Sequence, residues 1–430
     1  MTRFMFLLFT LFLALIIATT MSLDAQTAPV SPTPPPSLNT AATGSPAVTS
    51  AATLTGTPTD APEESFDLPT IPPDLPVDLP DEVRLLWAQA MSQPHDFSVA
   101  CMPMRVTAPT VMFGTDAFPL ASVSKLLIFL EYAIRIDSGE IPLNEMVSVE
   151  MLERYNLPRT DRGAHDRFMQ TYPEDTTMLT LWDVATEGMM QYSSNAASDY
   201  LLDRLSPVDW SALYSTLQLY DTTEPNSLTM IPLLMNNHET GRADEDNVPD
   251  LSALEGEAYL DMYVNNLNWR EEEIDYRSSR IQQDRTSGSW PEWQVQAQIL
   301  QQHTAVGSVN DFRNVMHAIY ANSGSPLSPN VQYMARTALR WNHDSFINAT
   351  YLEYGSKLGF YSGGVLTLVA YGYPIGAEPV ISVIFMRNIP QRVYRGLLAE
   401  DSIGHFAHWL HFTTCADLDD LLNVLAAAPQ

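Results

Sequence analysis

Apolar and polar positions follow two different periods along this chain, and the period changes with position. Apolar residues three and four apart predict helices over residues 82–91, 126–136, 180–191, 195–205, 309–321, 331–339 and 403–412, with Thr180 as an N-cap. Apolar runs rich in β-branched and aromatic residues predict strands at 97–102 and 110–113, and again at 351–358, 365–373 and 380–386. The last three are joined by short turns and read as an antiparallel meander, after which the helix over 403–412 is expected to close the chain. Two strands early and three late, around a helical middle, predict an α/β (α+β) domain whose two ends share one sheet. The segment 236–293 breaks the pattern. It is polar and acidic, with Asp244-Glu245-Asp246 and Glu271-Glu272-Glu273, and reads as an insertion or an elaborated loop.

The N-terminus follows different rules. Arg3 precedes an almost unbroken apolar run over residues 4–18, shorter than the roughly 20 residues of a spanning helix. Residues 1–25 therefore read as a signal peptide or an uncleaved anchor; cleavage after Ala25 would place Leu23 poorly. Residues 26–80 are rich in Pro, Thr, Ser and Ala, with no Lys or Arg between Arg3 and Arg84. Such a stretch cannot bury enough apolar surface to fold, and reads as a tether that spaces the domain at 81–430 from a membrane or wall. The expected location is extracellular, cell-surface or periplasmic. An oxidising location permits a bridge between the only two cysteines, Cys101 and Cys415, and two buried free thiols are the alternative.

Charge narrows the partners. Against 51 Asp plus Glu the chain carries 22 Lys plus Arg, a formal net charge of -29. That balance excludes nucleic acid, since little would neutralise phosphates, and disfavours an anionic lipid surface. No metal site is expected: His405 and His408 lie one turn apart, but no Cys or carboxylate completes a ligand spacing. His165, His238, His303 and His343 are scattered, and the acidic run near Asp244 lacks the spacing of a calcium loop. No cofactor is called for, and the domain is expected to be a monomer.

Chemistry concentrates in three short pieces: Ser122-Val123-Ser124-Lys125, Ser193-Ser194-Asn195 and Lys357-Leu358-Gly359. A serine hydroxyl needs a base to become a nucleophile. A lysine three residues on, on a helix, lies on the same face one turn away. A serine at the helix N-terminus also gains a backbone N–H for a developing oxyanion. Lys125 and Lys357 are the only lysines in the chain; every other basic side chain apart from histidine is Arg. An ammonium that can lose its proton is a physical reason to use Lys where Arg is otherwise the rule.

In this order and context the three pieces resemble the class A serine β-lactamases and their penicillin-binding relatives, marked by Ser-x-x-Lys, Ser-Asp-Asn and Lys-Thr-Gly. The context includes Phe118-Pro119-Leu120-Ala121 before the first piece, and Tyr192 before and Ala196-Ala197 after the second. The resemblance spans roughly residues 81–413. It implies a five-stranded antiparallel sheet flanked by helices, plus an all-helical subdomain. It implies Ser122 as the acylated nucleophile, Lys125 as its base, and Ser193 as the proton shuttle to the leaving nitrogen. Lys357 would support Ser193 electrostatically, and Asn195 would order Lys125 and the substrate amide. The N–H groups of Ser122 and Phe360, beside Gly359, would form the oxyanion hole. It also implies that Cys101 and Cys415 lie close together. The implied substrate is a β-lactam or a peptidoglycan-like molecule. The alternatives are a penicillin-binding-like peptidase or esterase, and a tethered binding protein on a decayed hydrolase fold.

Four departures stand out. Ser194 replaces the Asp of the middle motif, and Leu358 replaces a Thr whose hydroxyl helps hold the substrate carboxylate. No Arg occurs over 365–373 to share that role. Glu224, in Glu224-Pro225-Asn226-Ser227-Leu228, falls in the right part of the chain to activate a deacylating water, but its spacing differs from Glu-Pro-x-Leu-Asn. Deacylation is therefore expected to be slow.

Overall fold

A computed structural model of the chain describes residues 78–105, 109–283, 290–340 and 345–427. The signal or anchor segment, and all but the last residues of the tether, lie outside the described residues. A helix, α1 (Asp81–Ser92), opens the described domain. The expected strands follow as β1 (Phe97–Pro103) and β2 (Val111–Phe113), and much later β3 (Tyr351–Tyr361), β4 (Val365–Pro374) and β5 (Val380–Met386). They form one five-stranded sheet in the order β2-β1-β5-β4-β3, antiparallel throughout. The two ends of the chain share that sheet, as the strand pattern predicts, and β3 is left as an edge.

Strand side chains alternate between two cores, because successive residues point to opposite faces. From β5, Ile381, Val383 and Phe385 join the core of the helical region. Val380, Ile384 and Met386 join the other. The first core is completed by α2 (Lys125–Asp137), α3 (Asn195–Leu205), α4 (Val309–Tyr320) and α5 (Pro329–Leu339). Phe312 of α4 meets Phe385 edge-on at 5.7 Å between ring centroids. Burying a side chain of that size stabilises the fold by roughly 1.5–3 kcal/mol. The second core is covered by α1, the helix Gln391–Ala399 and α6 (Ser402–Phe412).

Three expectations need correction. A further helix, Leu418–Ala427, follows α6, so 403–412 does not close the chain. Thr180 does cap a helix, but only Leu181–Asp183 is α-helical; the chain then widens into a π-helix over Val184–Gln191. Such turns gather at functional sites, and this one runs straight into Ser193. The segment 236–293 is mostly helical, not loop, with helices Ala253–Asn265 and Leu267–Gln283. Their apolar anchors are few, Tyr263 and Trp269 among them, so the apolar stripe is thin. Buried Glu273 is paired with Arg277 and hydrogen-bonded by His238, which accounts for charge inside a helical core.

Cys101 on β1 and Cys415 after α6 are joined by a disulfide, with Cα atoms 5.8 Å apart. It ties the second strand in from one sheet edge to the helix that covers it, across 314 residues of sequence. Among the described residues no helix is long and apolar enough to cross a membrane. Cross-links of this kind typically contribute about 2–4 kcal/mol. The double variant Cys101→Ala/Cys415→Ala is expected to melt at lower temperature than the oxidised parent, and reductant should lower the parent's melting point but leave the variant's unchanged. Identical melting of parent and variant would refute a structural role.

Candidate active site

Two buried ammonium groups converge on one serine. Lys125, the first residue of α2, has no solvent exposure. Its Nζ donates to the Ser193 carbonyl (2.6 Å), to Ser193 Oγ (3.2 Å) and to Asn195 Oδ1 (3.0 Å). From the other side, Lys357 on the edge strand β3 donates to Ser193 Oγ at 2.9 Å. Among the described residues no carboxylate bonds either group. Burial pushes Lys125 from 10.5 down to about 7, against the pull of the Asp161 and Asp199 carboxylates. Lys357 is held well below the ordinary lysine value, first by burial and then by its nearness to Lys125. Near neutral pH, Lys125 is therefore divided between its charged and neutral forms, and Ser193 Oγ lies within hydrogen-bond distance of both amines.

The nucleophile candidate stands one turn earlier. Ser122 sits in a 3-10 turn, Ala121–Ser124, that leads into α2, rather than on the α-helix itself. Its neighbour Ala121 has φ 47°, a left-handed backbone that costs a non-glycine residue energy and is found where the surroundings impose it. Ser122 Oγ makes no hydrogen bond to Lys125, whose donors go to Ser193 and Asn195. Gly359 shows why β3 can pass so close: a Cβ there would lie 2.8 Å from both the Ser122 nitrogen and the Leu120 carbonyl oxygen. Thr367 on β4 clamps the same junction, donating to the Leu120 carbonyl at 2.9 Å.

Ser122, Ser193, Asn195, Lys357, Leu358 and Phe360 line a single cleft of about 420 Å³. Lys125, bonded to Ser193 and Asn195, and Gly359, packed against Ser122, are buried behind those residues. All seven residues expected from the sequence are thus brought together. Residues 106–392 match the sequence profile of the beta-lactamase enzyme family. The chain belongs to that family. A search of curated proteins finds no match. Among solved structures, the chain is similar to the β-lactamase from Sphaerobacter thermophilus DSM 20745, at 14% identity over 76% of this chain and 95% of that one, with a TM-score of 0.47. It is also similar to an ancestral class A β-lactamase, at 14% identity over 76% of this chain and 99% of that one, TM-score 0.46. An acyl-enzyme complex of PBP-A with penicillin G matches at 15% identity, over 75% of this chain and 95% of that one, TM-score 0.42.

Within this beta-lactamase family frame, the structure accounts for the serine in the middle motif. Ser194 caps α3, accepting from the Ala197 N–H at 3.0 Å. Its own hydroxyl is then free to donate, and His165 Nδ1 lies 2.8 Å away. The far ring nitrogen of His165 reaches Glu153 at 3.1 Å. A chain of bonds running inward from exposed Glu153 through buried His165 to buried Ser194 holds the strained turn at Ser193, whose φ is 67°. Sequence reasoning passed over His165 as one scattered histidine. It also missed Asp161, which accepts from the N–H groups of Ala164 and His165 and more weakly from Asn195, although an Asp before a helical run is a capping signal.

The two carboxylates that act on Lys125 are already engaged. Asp161 spends both oxygens on those backbone groups. Asp199, fully buried on α3, accepts from the Leu228 and Thr229 N–H groups at 2.9 and 2.8 Å. Glu224 is exposed and does not line the cleft, so the geometry does not give it the water-activating role.

The relay predicts a measurable cost. Replacing His165 by Phe leaves the Ser194 hydroxyl buried without its partner, a loss of about 1–3 kcal/mol. His165→Phe is expected to lower the urea midpoint accordingly. An unchanged midpoint would show that the chain of bonds does not support the turn.

Proposed function

We propose that the protein is a serine hydrolase of class A type that forms an acyl-enzyme on Ser122, with cyclic amides of the β-lactam kind as its substrates. The observation that carries this reading is the pair of buried lysines sharing Ser193 beside Ser122, with Lys125 pushed to about 7. A neutral Lys125 takes the Ser122 proton, directly or through Ser193, as the oxygen attacks the carbonyl carbon. Two N–H groups, of Ser122 and Phe360, would receive the oxyanion. Ser193 then gives its proton to the leaving nitrogen as the C–N bond breaks, and Lys125 resupplies it. Lys357 donates to Ser193 Oγ on the leaving-group side. Water attack on the ester returns Ser122 and releases the acid.

Deacylation is the weak step in this reading, because Asp161 and Asp199 are occupied and Glu224 does not line the cleft. Leu358 also removes a hydroxyl from the leaving-group side of the cleft. That combination favours penicillin-binding-like behaviour over efficient turnover. Export of the domain, as a monomer spaced from a membrane or wall, is supported by the N-terminal sequence and by the Cys101–Cys415 bridge, which suits an oxidising compartment.

Incubation with a penicillin, followed by intact-mass measurement and peptide mapping, tests the assignment. One adduct is expected on Ser122, absent from Ser122→Ala and persisting for many turnovers' worth of time, since general-base help is worth about 10²–10⁴-fold. A label on another residue overturns the mechanism; rapid cephalosporin turnover without an accumulated adduct overturns the slow deacylation. The acylation rate should depend on pH in a fixed direction. Lys125 is a base only when deprotonated, so the rate should climb as pH rises through about 7 and flatten above it. A rate that is flat from pH 5 to pH 9, roughly two units on either side of that midpoint, contradicts Lys125 as the base.

A further inference from the structure

A second cavity, of about 370 Å³, continues from the active-site cleft. Asn195, Thr160 and Tyr361 belong to the walls of both. Arg159, Arg162 and Arg395 line the second cavity, and among the described residues no carboxylate does. None of the three makes an ion pair with a described residue. In a chain with 51 acidic and 22 basic side chains, three unpaired arginines around one hollow need a cause.

The remaining polar groups point the same way. The hydroxyls of Tyr361 and Tyr394 are shielded from solvent and make no hydrogen bond in the fold. Burial raises both phenols above their ordinary value, so each stays a donor at neutral pH. Gln296 contributes one unpaired acceptor, its Oε1. Donors thus dominate the cavity, and Trp290 and Trp293 give it apolar walls. The arginines are presented by construction. Arg159 and Arg162 both have left-handed backbones, φ 65° and 57°, in a loop pinned by Asp161 to the start of α3. Arg162 lies over the Phe360 ring at 4.8 Å, which couples the cavity to the strand beside Ser122.

The direction of β3 says which part of a substrate would enter. Lys357, at the leaving-group side, is followed by Gly359 and Phe360 beside the reacting carbonyl, and then by Tyr361 at the mouth of the second cavity. We propose that this cavity is a subsite for a carboxylate on the acyl portion of the substrate, held by Arg159, Arg162 and Arg395 between the two tryptophans. The acyl assignment rests on the proposed function; the anion site does not. The substrate class becomes an acyl donor whose acyl side chain is itself anionic and carries an apolar group. A negative group there meets arginines, whereas at the other end of the cleft Leu358 supplies no hydroxyl and the strand over 365–373 no Arg.

Two measurements test the proposal and separate it from the hydrolase reading. The first is calorimetric titration with phenylacetate and with phenylacetamide, which differ in charge and little in shape. Phenylacetate is expected to bind at least about tenfold more tightly, with the advantage shrinking as salt is added and vanishing in Arg159→Gln/Arg395→Gln and in Arg162→Gln. Equal or weaker binding of phenylacetate, or an advantage untouched by these variants, overturns the anion site. The second compares the acylation of Ser122 by benzylpenicillin and by the same penicillin with an α-carboxylate on its phenylacetyl group. The ratio of the two rates should favour the dianion, and should fall about tenfold in the arginine variants; because it is a ratio, a general loss of folding leaves it unmoved. Acylation without a charge preference overturns the acyl subsite and leaves the hydrolase reading standing. Selective phenylacetate binding with no acylation by either penicillin supports the anion site and overturns the hydrolase reading.

Discussion

Everything at the active site depends on burying two amines close together without a carboxylate to neutralise them. Taking a charge out of water is costly unless it is paired, and a group so placed relieves the cost by giving up its proton. Lys125 donates to the Ser193 carbonyl, the Ser193 hydroxyl and Asn195, and Lys357 donates to the same Ser193 hydroxyl. The turn that presents those acceptors is strained at Ser193 and follows a π-helix. The Glu153–His165–Ser194 chain and the Asp161 clamp hold it in place. Arginine could not serve at either position, because it cannot release its proton at neutral pH.

The sheet supplies the second constraint. As an edge strand, β3 has an unpaired side, and the fold uses that side as a wall of the cleft. Close approach of the strand to Ser122 requires the missing side chain at Gly359 and the Thr367 hydroxyl beneath it. On the opposite edge of the domain the Cys101–Cys415 bridge fastens β1 to the cover behind it. Strand and helix ends thus converge on one cleft, and the same strand that carries Lys357 carries Tyr361 into the neighbouring cavity.

What could be read from the sequence was what is local. The five strands and helices α1 to α6 declare themselves through apolar period, and the three motif pieces are each three or four residues long. The use of lysine at only two positions marked the groups whose protons matter. The helices Ala253–Asn265 and Leu267–Gln283 were hidden because their polar faces are wide and their buried charges are paired in space rather than in sequence. One local signal was there to be used: Ser252 and Glu255 form a capping box at the start of the first. His165, Asp161 and Asp199 were hidden for a different reason. Each acts on a partner about 30 residues away, which no spacing rule connects.

The central claim is that the two buried amines sit far below the ordinary lysine range in the folded protein. With only two lysines in the chain, protein grown with isotope-labelled lysine gives two side-chain signals, which a Lys357→Met variant assigns. Following both by NMR as pH changes tests the claim directly, with the midpoints understood as those of an interacting pair. The account predicts that Lys125 titrates at about 7 and that Lys357 also titrates well below its ordinary value, with both returning to the ordinary range on denaturation. Two signals that both titrate at about 10.4 in the folded protein would contradict it.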